Sequence, residues 1–153
     1  MKATRTAIYA RVSTIDQSVD SQLETLKEVA QYKNWDVRQT IIEKVSGAKN
    51  RSDRKGLDDL LKSVTKREID MVMIFDISRL GRSLGDLVST MEEINIAGAN
   101  LYIHTQGLDT QTTAGKAMFQ MCGVFAEFER SMIRERVKAG ISVARRKGKP
   151  WGR

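Results

Sequence analysis

Arginine recurs in three short polar segments, each of which follows a stretch of sequence with the pattern of a buried strand. The three pairs of residues are Arg11 with Ser13, Arg51 with Arg54, and Arg79 with Arg82. Arginine forms bidentate hydrogen bonds with phosphate oxygens and keeps its charge at neutral pH. Because segments after parallel strands meet at one edge of an α/β sheet, the pattern predicts a site for a phosphodiester whose charge grows in the transition state. Ser13 is the candidate nucleophile, although a serine after a strand is often only a cap.

The composition excludes several other kinds of site. The chain has 153 residues with one cysteine and one histidine, which excludes a disulfide framework and a multi-histidine or cysteine-rich metal centre. A serine hydrolase would need His104 as its base, and this residue is more simply interpreted as the end of a strand. A metal-dependent nuclease or phosphatase would need an acidic cluster near Ser13, which the sequence lacks. We therefore expect no metal and no other cofactor.

The sequence also shows no segment of the kind that spans a membrane or directs a protein across one. No apolar run reaches the roughly 18 residues that a membrane span needs, and the first residues lack the apolar stretch of a signal peptide. The sequence therefore predicts a cytoplasmic protein with no membrane partner.

The excess positive charge lies at the C-terminal end. The net charge is +7, and residues 127–153 carry nine basic residues against three acidic ones. A solvated helix face would explain part of this charge, but the final run RRKGKPWGR is basic and broken by glycine and proline. Such a segment is typical of an arm that follows a nucleic-acid backbone. The candidate DNA-binding residues are Arg145, Arg146, Lys147, Lys149 and Arg153.

Strand and helix patterns alternate along residues 1–112. This alternation predicts an α/β domain with a mainly parallel central sheet flanked by helices. The predicted strands are 6–12, 35–43, 70–77 and 99–105, and the predicted helices are 20–34, 56–68 and 84–97.

Residues 113–147 have the pattern of one long helix, followed by a basic arm at 148–153. Apolar residues recur at steps of three and four, and a helix of about 34 residues would be about 50 Å long, too long for a domain of this size to cover. The stripe could pack on its own sheet along the whole length, but a seam with a second copy of the chain fits better. The predicted dimer-interface residues are Met118, Met121, Phe125, Phe128 and Met132.

Five segments together resemble one known family. The run YARVSTIDQ from Tyr9 to Gln17 resembles the active-site signature of the serine recombinases, the resolvase/invertase family. Gln22 fits a further polar position of that family. The segments SGAKNRSDRKGL, SRLGRS and GVFAEFERSMIRERVKAG are similar to the family's mobile loop, second arginine motif and long dimerising helix, in the same order along the chain.

The resemblance implies a metal-free and ATP-free recombination reaction on double-stranded DNA. The hydroxyl of Ser13 would attack a phosphodiester, giving a 5′-phosphoserine link and a free 3′-OH. Dimers would assemble into a tetramer that exchanges and reseals the strands. The implied phosphate-clamping and transition-state-stabilising residues are Arg11, Arg54, Arg79 and Arg82. Gln17 and Gln22 would be positioning groups, and Arg130 would contact phosphate or an interface.

The sequence departs from the family at three points. Ser78 stands where an aspartate often precedes the first arginine of the second motif, and Asp76 lies two residues away. Arg67 replaces a glycine often found before the strand, a change that we expect to be structural and tolerable. Family members of resolvase type continue into a helix-turn-helix domain, for which no residues remain after Arg153. We expect either a truncated chain or a naturally short form, and the first is favoured. A non-catalytic DNA-binding module with the same fold is the alternative, but the retained serine and arginines favour the enzyme.

Overall fold

The computed structural model describes residues 2–12, 19–44, 54–79 and 84–148. The elements, in chain order, are β1 (Arg5–Val12), α1 (Val19–Tyr32), β2 (Asp36–Lys44), α2 (Lys55–Thr65), β3 (Met71–Ile74), a 3₁₀ turn (Ile77–Arg79), α3 (Leu84–Ile96), β4 (Asn100–Ile103), β5 (Leu108–Asp109) and α4 (Thr113–Arg146).

The strands form one sheet in the order β2-β1-β3-β4-β5. The first four strands of this order are parallel, and β5 pairs antiparallel with β4. The predicted α/β class, the mainly parallel sheet and the long C-terminal helix are confirmed. The two-residue strand β5 was not predicted, because it is too short to show a periodic pattern.

Alternation along the strands divides the core between two helical layers. In β1, Ala7 and Tyr9 face a cluster built with α2 and α3, whereas Ile8 and Ala10 face α1. Burial on both faces explains why the strand reads as a continuous apolar run. The sequence pattern of β1 therefore agrees with its position as an interior strand, between β2 and β3.

The predicted third strand was too long. The ladder of β3 ends at Ile74, and a 3₁₀ turn follows at Ile77–Arg79. An apolar run can continue from a strand into a turn that packs on the same core, and Ile77 does pack there. Arg79 lies in this turn, which agrees with the strand-to-helix turn predicted for the segment that begins at Ser78.

The three helices that connect parallel strands end in the same way. After α2, the N–H of Glu68 donates to the carbonyl of Ser63 at 3.0 Å, and the N–H of Arg67 donates to that of Val64 at 2.8 Å. This pair of bonds defines a Schellman motif, whose central residue adopts the left-handed conformation that glycine prefers. The central residues of the three motifs are Asn34 (φ 56°), Arg67 (φ 58°) and Gly98 (φ 98°). Arg67 therefore replaces glycine at a position that strains any side chain with a Cβ.

The first turn of α4 is fixed tightly to β5. Thr112 caps the helix by accepting a hydrogen bond from the N–H of Gly115, and its own hydroxyl donates to the carbonyl of Asp109. A Cβ on Gly115 would lie 1.8 Å from that carbonyl oxygen, so no larger residue fits. The carboxylate of Asp109 also lies 3.5 Å from Lys33 Nζ, which ties the same point to the end of α1.

The remainder of α4 leaves its own domain. Ala126 and Gly115 are its buried residues, and every residue from 127 to 140 is exposed. Within this run Phe128, Ile133 and Val137 are more than half exposed. The alternative in which α4 packs on its own sheet along its whole length is therefore wrong.

Replacing Arg67 by glycine is expected to stabilise the protein. The left-handed conformation costs a residue with a Cβ about 1 kcal/mol, so we expect Arg67→Gly to raise the free energy of unfolding by about that amount. Urea unfolding at fixed protein concentration measures the change. Gly98→Ala, at the equivalent position after α3, is the matched control and should lower stability by a similar amount. A destabilised Arg67→Gly variant would contradict the strain.

Candidate active site

The order of the strands identifies one edge of the sheet as the place for a site. The chain passes from β1 to β2 on one side and to β3 on the other, so the order reverses between β1 and β3. In open α/β sheets, ligands bind at the carboxyl ends of the strands at such a reversal. Arg11 lies near the carboxyl end of β1, and Arg79 lies on the turn that follows β3.

A hydrogen bond joins these two strand ends directly. Arg79 Nη1 donates to the backbone carbonyl of Arg11 at 3.0 Å. Both side chains are half-buried. The side chain of Arg79 therefore extends from the turn after β3 to the carboxyl end of β1.

Arg54 brings a permanent charge into the interior beside the same edge. It is the residue before α2, and its side chain is 1% exposed. Its Nη1 lies 3.9 Å from the carboxylate of Asp86, in the first turn of α3. A buried guanidinium keeps its charge and needs negatively charged partners, so Arg54 places a fixed positive charge beside this edge of the sheet.

A buried tyrosine–glutamate pair lies among these arginines. Tyr9 is 0% exposed, and its hydroxyl donates to Glu43 Oε2 at 2.5 Å. The other carboxylate oxygen accepts the N–H of Gly56 at 2.9 Å, at the beginning of α2. A Cβ on Gly56 would lie 2.8 Å from a methyl group of Ile41 and 3.2 Å from the Glu43 carboxyl carbon. Glu43 therefore holds the first turn of α2 against β2, one turn from Arg54.

The pKa of Tyr9 reports the electrostatics of this cluster. Burial, then the hydrogen bond to Glu43 and the charge of Glu43, raise the pKa of Tyr9 above its ordinary value, whereas the positive charges of Arg54 and Arg11 oppose the rise. The phenol thus remains neutral and donates to the carboxylate. The sequence analysis did not identify Tyr9 and Glu43 as site residues. The only available signal was Glu43 itself, a single acidic residue at the end of an apolar predicted strand.

Arg130 reaches the site from α4. Its guanidinium lies against Gly85 in the first turn of α3, where a Cβ would meet Nη2 at 3.2 Å. Nη1 is also 3.4 Å from Glu127, which in turn binds Arg134 at 2.9 Å. Arg130 and Arg54 therefore approach the beginning of α3 from two different elements, directly after the segment that carries Arg82 in the sequence.

The remaining predicted site residues lie on α1, at the far end of α4 or outside the described residues. Gln22 is half-buried in the first turns of α1. Arg145, Arg146 and Lys147 are exposed at the far end of α4, about 24 Å along the helix from Arg130 at 1.5 Å per residue. The predicted residues outside the described ranges are Ser13, Gln17, Arg51, Arg82, Lys149 and Arg153.

The side chain of His104 is occupied by aromatic neighbours. Its Nδ1 is 3.4 Å from the Tyr102 hydroxyl, and its ring packs 5.4 Å from that of Phe75. His104 directly follows β4, as predicted for a strand-end residue.

The described residues hold neither a cluster of metal ligands nor a membrane-spanning helix. No three or more His, Cys, Asp or Glu side chains cluster closely enough there to hold a metal ion. None of the described helices combines the length and apolar character that crossing a membrane requires.

Replacing Tyr9 by phenylalanine tests the buried pair. The raised pKa means that folding favours the neutral phenol, so this contribution is fully present below about pH 10, the ordinary value for tyrosine, and is lost as pH rises further. We expect Tyr9→Phe to lower the free energy of unfolding by about 1–2 kcal/mol at pH 7, and to make the loss of stability above pH 10 shallower. Urea unfolding at pH 7 and at pH 10–11 measures both effects.

Tyr32→Phe is the matched control, because Tyr32 is 89% exposed. It should leave stability unchanged at both pH values. An equal alkaline loss in wild type and Tyr9→Phe would contradict a contribution from the buried phenol.

Comparisons with known proteins agree with this geometry. The family model described as "Resolvase, N terminal domain" matches residues 6–150. The chain is 37% identical over 145 residues to the serine recombinase gin of Escherichia phage Mu, covering 95% of this chain and 70% of that protein. It is 36% identical to the DNA-invertase hin of Salmonella typhimurium, covering 95% and 71%.

A solved structure has the same fold. A resolvase family site-specific recombinase from Streptococcus pneumoniae matches with a TM-score of 0.76 and 26% identity, covering 93% of this chain and 99% of that one. The match in overall fold covers nearly the whole of both chains. The chain belongs to the resolvase family, the serine recombinases, and has the fold of their catalytic domain.

Proposed function

We propose that this chain cleaves and rejoins double-stranded DNA at a specific site, with Ser13 as the nucleophile. The hydroxyl oxygen of Ser13 attacks a backbone phosphorus, and the bond from phosphorus to the 3′ oxygen breaks. The 3′ oxygen takes up a proton and leaves as a free 3′-OH, while the 5′-phosphate remains esterified to the serine. Attack of a 3′-OH on this ester reverses the step, so rejoining needs no ATP.

The observation that carries this proposal is the convergence of guanidinium groups at the carboxyl ends of β1 and β3. Arg79 binds the carbonyl of Arg11 at 3.0 Å, and Arg54 is buried beside them. Ser13 is the second residue after Arg11 in the chain. Preorganised cations stabilise the extra negative charge that a phosphodiester acquires in the transition state. In this proposal Arg82 completes the clamp, and Gln17 and Gln22 orient the phosphate or the serine.

The long helix supplies assembly and DNA contacts in the same proposal. Residues 1–112 form the catalytic unit, residues 113–147 a helix that pairs two chains, and residues 148–153 a basic arm. The exposed apolar side chains of α4 support pairing, because an unpaired monomer would leave them in water. The proposed seam contains Met118, Met121, Phe125, Phe128 and Met132, and two dimers form the tetramer that holds two sites.

Backbone contacts are assigned to the exposed basic end of α4. Arg145, Arg146 and Lys147 lie in its last turn and cap, and Lys149 and Arg153 follow in the sequence. Phosphate contacts of this kind bind DNA without reading its sequence. The family's helix-turn-helix domain supplies base recognition in relatives of resolvase type.

Ser13→Ala tests the nucleophile. The wild-type protein is incubated with supercoiled plasmid that carries its native site, quenched with detergent, and analysed on a denaturing gel for protein covalently joined to DNA. We expect Ser13→Ala to lose this adduct completely, while it still shifts DNA in a native gel.

Ser21→Ala is the matched control, because Ser21 is an exposed serine on α1, and it should form the adduct at the wild-type rate. An undiminished adduct in Ser13→Ala would exclude Ser13 as the nucleophile. No adduct from the wild type would favour a DNA-binding module without catalysis.

Phe128→Asp tests the helix seam. Burying a phenylalanine side chain at an interface contributes about 1.5–3 kcal/mol to the free energy of association, and an aspartate at the same position loses this contribution. Self-association of Phe128→Asp should therefore weaken at least 10-fold. Sedimentation velocity over a concentration series measures it. Tyr32→Asp makes the same kind of change at an exposed aromatic residue of α1 and should not alter association. Equal effects of the two variants would remove Phe128 from the seam.

A further inference from the structure

The turn that carries Arg79 is bound to the loop between β4 and β5 by side chains. Asp76, directly before the 3₁₀ turn, has one carboxylate oxygen, Oδ2, 2.8 Å from the hydroxyl of Thr105 and 3.3 Å from Nε2 of Gln106. Gln106 Oε1 accepts the backbone N–H of Ile77 at 3.2 Å and lies 2.7 Å from the same Thr105 hydroxyl. Gln106 thus donates to the residue before the turn and accepts from the first residue within it.

Backbone bonds make this arrangement rigid at both ends. The N–H of Arg79 donates to the carbonyl of Asp76 at 3.0 Å, closing the turn, and the N–H of Thr105 donates to the carbonyl of Phe75 at 2.9 Å. The position of the Arg79 Cα therefore depends on Asp76, and the position of Asp76 depends on the loop after β4. From this turn the Arg79 side chain extends to the carbonyl of Arg11.

We propose that Asp76, Thr105 and Gln106 are positioning residues of the recombination reaction: they form a clamp that sets the direction of Arg79 toward the scissile phosphate. This inference rests on the function proposed above, in which Arg79 stabilises the transition state. A displacement of about 1 Å in a group that stabilises the transition state can cost a rate factor of about 100, so a clamp on the turn affects catalysis without touching DNA.

The residues just before Arg79 explain why this chain would need the clamp. The aspartate often found before the first arginine of this motif is replaced by Ser78. Asp76 instead supplies a carboxylate two residues earlier, and this carboxylate faces the neighbouring loop. In this chain the turn is therefore held in place by side-chain contacts with the β4–β5 loop, and these contacts need both Asp76 and Gln106.

A donor–acceptor exchange tests the clamp. In Gln106→Glu the amide donor becomes a carboxylate that repels Asp76, so we expect the rate of adduct formation at saturating protein to fall about 10-fold. In the double variant Asp76→Asn/Gln106→Glu, the new asparagine amide can donate to the new glutamate, which still accepts the N–H of Ile77. The double variant should recover to within about 3-fold of wild type.

The measurements separate positioning from folding. All variants should bind DNA with the same half-saturating concentration and unfold at about the wild-type temperature, because the three side chains are exposed or half-buried. Gln31→Glu, which introduces the same charge at an exposed position of α1, is the matched control and should cleave at the wild-type rate.

The outcomes also separate this inference from the proposed function. Cleavage by Gln106→Glu at the wild-type rate, or a double variant as slow as the single one, would overturn the clamp while leaving the Ser13 adduct intact. An adduct that persists in Ser13→Ala would overturn the proposed function, whatever the behaviour of residue 106.

Discussion

A permanent positive charge held inside the domain is the constraint around which the site is built. Arg54 is 1% exposed, and it cannot be neutralised by losing a proton. Its Nη1 lies 3.9 Å from the carboxylate of Asp86 on α3, and Glu43 places a second carboxylate beside Tyr9 in the same region. Glu43 is itself fixed by the buried hydroxyl of Tyr9 and the N–H of Gly56. Positive charge at this edge is thus set in place before any anion arrives, which is the condition for electrostatic catalysis.

Much of the architecture could be predicted because it follows from local patterns. The buried run of β1, the helical spacing of α1 and the glycine after α3 each have a direct physical cause, and each element lies within a few residues of its predicted place. The arginines of the site could be found because they follow strands. That Arg11 and Arg79 lie next to each other depends on the order of the strands in the sheet, which local sequence patterns do not reveal. Only the family resemblance implied that these two residues share a site.

What could not be predicted depends on contacts between distant residues. The pairing of Tyr9 with Glu43 joins residues 34 apart, and the clamp joins residues about 30 apart; neither separation leaves a periodic signal. The prediction that residues 75–77 continue the strand was wrong, because an apolar side chain such as that of Ile77 can pack on the core from a turn as well as from a strand. The positive φ of Arg67 could not be predicted either, because the helix-ending motif that requires it is defined by hydrogen bonds that form only in the folded chain.

One short stretch of chain serves two different parts of the molecule. Thr105 and Gln106 touch the turn before Arg79, and a few residues later Asp109, Thr112 and Gly115 fix the first turn of α4. Because a Cβ at Gly115 would overlap the backbone of β5, the base of this helix cannot slide or roll. Further along the helix, Gly123 is a position where the backbone bends more easily, because glycine in a helix interior has more conformational freedom than any other residue. From Gly123 to Arg146 the helix extends about 35 Å. A bend of about 10° at Gly123 would therefore move the basic end of the helix by about 6 Å while its first turn stays fixed to β5.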